Sequence, residues 1–219
     1  MMASLTVQDV GPAVSVQDLG RPGFRAQGLT IGGAADRTAV HEGAALLGQR
    51  PDSAVIEMAG SGGTFVFDTD TRVALTGAVM TATLEGEPLG WNASHAAPAG
   101  AELRSGGAVS GCYGYLHVGG GIDTPTTMGA RGSHLACGIG GLLAKGDRLP
   151  LGTDPSGETG LFLPTDTRFD GGVLRVVASM QTADFAADTR ARFFGTEFRR
   201  DPRANRMGVR LDFEGAGVG

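Results

Sequence analysis

The sequence predicts a mainly β protein with a few helices, and three observations carry that prediction. Glycine supplies 38 of the 219 residues, against a usual share of ~7%, with no collagen-like period. The apolar residues fall in short runs, and the stretches between them are rich in Gly, Asp and Ser, the chemistry of tight turns between strands. At 22.3 kDa the chain can bury a real core, as one large or two small domains.

Taken in order, Leu5–Val10 and Ala13–Asp18 read as strands around the turn Gly11-Pro12. The echo of VQDVGP (Val7–Pro12) in VQDLGRP (Val16–Pro22) is too short an offset for a repeat architecture, and reads as hairpin symmetry or chance. In VQDLGRPGF, Val16–Phe24, the residues Gly20, Pro22 and Gly23 force a sharp turn with Asp18 and Arg21 at its rim. Ala35–Leu47 is the first helix: Val40, Ala44 and Leu47 recur at helical spacing, Gly48 stops it, and Asp36 lies in its first turn, where the helix dipole favours a carboxylate. Strands are then expected at Ala54–Met58, Thr64–Phe67, Arg72–Thr76, Val79–Leu84, Tyr113–Val118 and Arg148–Leu151, with Glu85-Gly86 as a hairpin turn. Such spacing belongs to a barrel or a sandwich.

These elements make residues 1–152 a first lobe with its central β region. Residues 153–172, containing TDPSGETG and TDTRFDGG, read as a linking loop. Residues 173–219 then form a partial second lobe: a strand at Val173–Ala178, a helix at Ala183–Phe193 with Thr182 as its N-cap, and a strand at Arg206–Leu211. One helix and two strands cannot close a core alone, so this lobe is incomplete or pairs with the first.

Charge and cysteine content restrict the function. A net charge of -5 argues against a nucleic-acid surface, which needs a basic stripe. The arginines clustered over 190–210 are interleaved with Glu197 and Asp201 and follow Asp188, the pattern of a solvated mixed-charge face. There is no secretory leader pattern and no apolar run of membrane-spanning length, so a soluble, cytoplasmic protein without membrane or nucleic-acid partners is expected. Cys112 and Cys137 have no metal or redox spacing and are expected as reduced thiols.

The common catalytic signatures are missing. There is no GxxxxGK[ST] phosphate loop and no HExxH; Gly138-Ile139-Gly140-Gly141 fails as a GxGxxG at Leu143, and Ser61 in AGSGG lacks the first glycine of a nucleophile elbow. His41, His95, His117 and His134 are isolated, so no metal site is expected. What remains are four places where a charge stands beside permissive backbone: Asp18 with Arg21, Asp36 with Arg37, Asp123 after Gly119–Gly121, and Arg131 after Gly129. Main-chain N–H groups and a fixed arginine can together hold a carboxylate or phosphate. Each alone is more often just a turn or an ion pair, and it is their recurrence that suggests a site.

Eight segments in order give those places a context: VQDLGRPGF, GGAADR (Gly32–Arg37), AVIEM (Ala54–Met58), LTGA (Leu75–Ala78), YLHVGGGID (Tyr115–Asp123), MGAR (Met128–Arg131), KGDRL (Lys145–Leu149) and NRMGVRL (Asn205–Leu211). Over nearly its whole length the chain resembles the family called allophanate hydrolase subunit 2, KipA or the C component of 5-oxoprolinase. The resemblance implies tandem cyclophilin-like β-barrel lobes, the second incomplete here. It implies a KipI-like partner (the B component of 5-oxoprolinase), a lactam-opening A component, and ATP with Mg²⁺, bound together with those partners, to drive 5-oxoproline to glutamate. Other relatives form the carboxyltransferase component of urea carboxylases, or regulate a kinase through a KipI-like inhibitor. Biotin is not expected on this chain, because Lys145 in AKGD lacks the methionines that flank a biotinyl-lysine.

The positions that match the family are Asp18, Arg21, Gly33, Asp36, Arg37, Glu57, Gly120, Gly121, Asp123, Arg131 and Arg206. Activating a lactam by phosphorylating its oxygen needs cationic or N–H groups where charge develops. Arg21 and Arg131 are therefore expected as anion holders, Asp36 or Glu57 as the carboxylate orienting substrate or metal-bound ATP, and the catalytic set as Asp36, Glu57 and Arg131. Two departures stand out: Ala130 replaces the first serine of the family's GSRST, and relatives usually continue for several tens of residues past the position of Leu211.

Overall fold

A computed structural model of the chain describes residues 3–164, 167–201, 206 and 208–214. The chain divides into two compact units, Met1–Asp170 and Gly171–Gly219. The first holds the strands β1 (Ser4–Val10), β2 (Val14–Gln17), β3 (Val55–Ala59), β4 (Gly63–Phe67), β5 (Thr71–Leu84), β6 (Glu87–Pro88), β7 (Ala93–Ala97), β8 (Glu102–Val118) and β9 (Arg148–Pro150), with one helix, α1 (Arg37–Leu46). All nine strands join one antiparallel sheet in the order β2-β3-β8-β4-β1-β9, with β5 pairing β6, β7 and β8.

The spine of the sheet is the pair β5 and β8. Arg72–Thr76 and Val79–Leu84, expected as two strands, are halves of the single β5, and the register with β8 slips at Gly77, Val79 and Met80. Such bulges bend a strand and increase its twist, so the sheet curls as a half-barrel around one apolar core. That core is built by the inward residues of eight strands, among them Leu5, Phe65, Phe67, Leu75, Leu103 and Leu116, all fully buried. The strand expected only at Tyr113–Val118 starts at Glu102; β4 borders its first half and β3 its second. Glu85-Gly86 makes the expected tight turn, with both residues at positive φ (51° and 86°). β1 and β2 do not pair with each other, so the echo between their sequences is not a hairpin.

Helix α1 lies against the other face, on β5 and β8. Asp36 is its N-cap, one position before the first turn, and its Oδ1 accepts the Ala39 N–H at 3.1 Å. The helix sits close because residue 43 is glycine: a Cβ there would lie 2.2 Å from the His117 ring.

Residues 153–164 have almost no regular structure yet are fastened to the first unit. The Asp154 carboxylate receives the Arg72 guanidinium in a largely buried pair, and Ser94 and Asn92 exchange main-chain hydrogen bonds with Gly160, Leu161 and Leu163. Further along, Arg168 makes a bidentate contact with Glu42 and a 3.2 Å bridge to Asp36.

In the second unit the helix is α2 (Ala187–Gly195), and a two-residue ladder joins β10 (Arg199–Arg200) to β11 (Leu211–Asp212). Three expectations are corrected. Val173–Ala178 forms no strand, because no ladder partner lies beside it among the described residues. Thr182 does not cap the helix: its Oγ1 accepts the Ser179 N–H at 2.8 Å, which commits it to the turn upstream, and α2 starts five residues later. The strand expected over Arg206–Leu211 is confined to Leu211–Asp212, while Asn205 and Met207 lie outside the described residues. Among the described residues no helix is long and apolar enough to cross a membrane.

Candidate functional site

Most of the predicted site residues gather where β2 ends and α1 begins. Asp18 follows β2 directly, and its Oδ1 accepts the Gly20 N–H at 2.8 Å, closing the turn that Gly20 opens. Its Oδ2 accepts two N–H groups from a loop more than a hundred residues away: Arg131 at 2.6 Å and Gly132 at 3.0 Å. Arg21, 1% exposed, donates from Nη2 to the Gly132 carbonyl at 2.5 Å and from Nε to the Thr127 carbonyl at 3.4 Å. Asp18 and Arg21 are thus both buried and both committed to main chain. The Arg21 Nη1 has no partner among the described residues; it lies under Gly32, where a Cβ would come 2.9 Å from the His134 ring.

Gly33, Arg37 and Arg131 border this pair. Gly33 packs on the turn so closely that a Cβ would sit 2.7 Å from the Gly20 nitrogen. Arg37, at the surface, donates to the Leu19 carbonyl at 3.0 Å. Arg131 pairs its Nη2 with Asp123, and both side chains are about one third exposed (34% and 39%). Gly120 and Gly121 make the turn between β8 and Asp123. The Gly120 N–H is taken by Gln49 Oε1 at 2.9 Å and the Gly121 N–H by the Val118 carbonyl at 2.8 Å. Arg206 belongs to the second unit and lies at the surface there.

Glu57 and Asp36 form a second cluster, joined by Tyr115, a residue that sequence reasoning missed because it carries no charge. Tyr115 on β8 stands opposite Glu57 on β3 and donates its hydroxyl to Glu57 Oε2 at 2.8 Å. The same Oε2 accepts the Ala35 N–H at 2.8 Å, and the Tyr115 oxygen accepts the Asp36 N–H at 2.7 Å. Burial, then the Glu57 charge, push the phenol well above its ordinary range, so it stays protonated and can donate. Glu57 is only 2% exposed. The network fixes the entrance to α1, and the signal that could have revealed it is a tyrosine within the Tyr113–Val118 run that reads as a strand.

His117, two residues on, is fully buried beneath Gly43. The Thr76 hydroxyl donates to the Ala39 carbonyl at 2.8 Å, so its oxygen must receive its other bond, at 2.9 Å, from the ring's Nε2–H. That leaves Nδ1 as the bare nitrogen, without a partner among the described residues. Burial lowers the imidazole pKa to about 3, so the ring is neutral. The Arg72–Asp154 pair, 82 residues apart in sequence, carried no signal. Burial opposes ionisation of Asp154, but hydrogen bonds from Arg72 and the Ser156 N–H, with the Arg72 charge, hold its pKa below the usual range.

Chemically, Arg131 presents a guanidinium at a partly exposed rim with Asp123 as its counter-ion, while the N–H groups of the neighbouring Gly120–Gly121 turn are already bonded within the chain. Such an arrangement can hold a carboxylate or phosphate oxygen. Among the described residues, no group of three or more His, Cys, Asp or Glu side chains is arranged to hold a metal ion.

This curled antiparallel sheet with its capped helix is shared with known proteins. The chain belongs to the family of carboxyltransferase domains, subdomains A and B, which it matches over residues 27–218. It is 32% identical over 216 residues to the C component of 5-oxoprolinase from Escherichia coli (strain K12), covering 94% of this chain and 68% of that protein. The crystal structure of TTHA0988 superposes with a TM-score of 0.88 at 28% identity, over 96% of this chain and 42% of that one. The K. lactis urea amidolyase superposes at 0.80 with 25% identity, over 95% of this chain and 14% of that one. The chain thus spans about two thirds of the first relative and less than half of the other two.

Proposed function

We propose that this chain is one subunit of a cytoplasmic, ATP-dependent 5-oxoprolinase, acting with a KipI-like partner and a lactam-opening subunit. The observation that carries the reading is that matched positions from distant parts of the chain meet at one loop: Asp18 and Arg21 bind the main chain of residues 131 and 132, and Asp123 pairs with the Arg131 guanidinium, about one third exposed. Likeness to the C component of 5-oxoprolinase over 94% of the chain supports it. In this reading Arg131 holds the anionic group, the substrate carboxylate or a transferred phosphoryl oxygen, and Asp123 keeps the guanidinium aimed. Glu57, Tyr115 and Asp36 hold the N-terminus of α1 in place beside it. In this reading ATP with Mg²⁺ is bound together with the partner subunits.

The test is ATP hydrolysis dependent on 5-oxoproline, with glutamate release, by the three subunits together and with each omitted. Activity that disappears without this chain, and falls at least tenfold with Arg131→Ala, is expected. Full activity without this chain would overturn the reading. A second reading, carboxyl transfer to urea or a similar amide, is favoured by the superposition on the K. lactis urea amidolyase. It requires a separate biotin carrier, and carboxylation of urea in place of 5-oxoproline opening would select it.

A further inference from the structure

We infer that Asp18 and Arg21 are positioning residues for Arg131: they set the 127–133 loop and make no contact with the substrate. The inference rests on the anion-holding role proposed above for Arg131. The two charged side chains grip Gly132 from both sides. Asp18 accepts its N–H and Arg21 donates to its carbonyl. A Cβ on residue 132 would stand 2.6 Å from Asp18 Oδ1, so the grip closes only on glycine.

Exposure divides the three charges by task. Asp18 and Arg21 are 6% and 1% exposed, and among the described residues every hydrogen bond of their charged groups goes to main chain. Arg131 is the reverse: its main-chain N–H is inside the grip, while a third of its side chain faces out. Bonds from main chain to an ionised partner are shorter and stronger than neutral ones. Removing the carboxylate strands the Arg131 and Gly132 N–H groups together and releases the segment that aims the guanidinium. The partnerless Arg21 Nη1 is itself buried, beneath Gly32.

The experiment compares Asp18→Ala, Asp18→Asn, Arg131→Ala and the Asp18→Ala/Arg131→Ala double variant, in the full chain alone and assembled with its partner subunits. In the chain alone, amide hydrogen exchange over 127–133 should accelerate at least tenfold in Asp18→Ala, with β3, β5 and β8 unchanged, and Asp18→Asn should restore part of the protection because its amide oxygen still accepts. In the assembly, the KM for 5-oxoproline should rise about tenfold in Asp18→Ala with a smaller change in kcat. Asp18→Ala should cost nothing further once Arg131 is alanine. Unchanged exchange in the loop, or independent losses that multiply in the double variant, would overturn the positioning role. Accelerated exchange together with full activity of Arg131→Ala would instead remove the proposed function of Arg131, and this inference with it.

Discussion

Val73, Ala74 and Leu75 of β5 and Val173, Leu174 and Val177 of the second unit are alike in residue type and opposite in fate. The first three are fully buried; the second three are 94%, 80% and 94% exposed. β5 has β7 on one side and β8 on the other, so each residue of that run gains a main-chain ladder and a packed face together. The run beginning at Val173 has neither among the described residues, although its β-branched residues favour a strand just as strongly. Strand propensity therefore acts here only through a neighbour that completes the hydrogen bonds.

The largest expected effect breaks the well-packed side of that comparison. Phe65→Ala empties a fully buried site and should cost about 3–5 kcal/mol of unfolding free energy in urea titrations. Acid should act next. His117 holds a folded pKa of about 3 against an ordinary 6.5, so between those values the unfolded chain takes up a proton that the folded chain refuses. Stability should fall as pH drops through that window, by up to about 1.4 kcal/mol per pH unit. The slope should be shallower by that amount in His117→Gln. Gly43→Ala, which drives a methyl into the same ring, should cost about 1–3 kcal/mol despite alanine's better helix propensity. Asp36→Ala removes the α1 cap and one arm of the Arg168 bridge and should cost about 1 kcal/mol. At the small end, Val177→Ser in the second unit should stay within ~0.5 kcal/mol; a larger loss would mean that this run is packed in solution and would undo the contrast.

Much of the first unit was legible because its signals are local. Alternating or continuous apolar runs marked β1, β3, β4 and parts of β5, and helical spacing after Asp36 marked α1. β7 and the first half of β8 were not legible. ASHAA and ELRSGGAVSG are polar or glycine-rich, and they are strands because β5 supplies the other half of each ladder. The site divides the same way. The residue types at Asp18, Arg21 and Arg131 were visible, but an expected pair of anion holders became one outward guanidinium and one buried clamp, a difference of burial that no local pattern carries.

By itself, then, the sequence determined the β class, the single good helix of the first unit, the turn at Gly20–Gly23 and the charges that stand beside glycine, since all of these follow from short-range dihedral preference and periodicity. The tertiary structure alone decided which carboxylates and guanidiniums are spent on main chain, which histidine is held neutral, and which apolar run becomes a strand. Those outcomes depend on groups brought together from a hundred residues apart, and on the water their contact excludes.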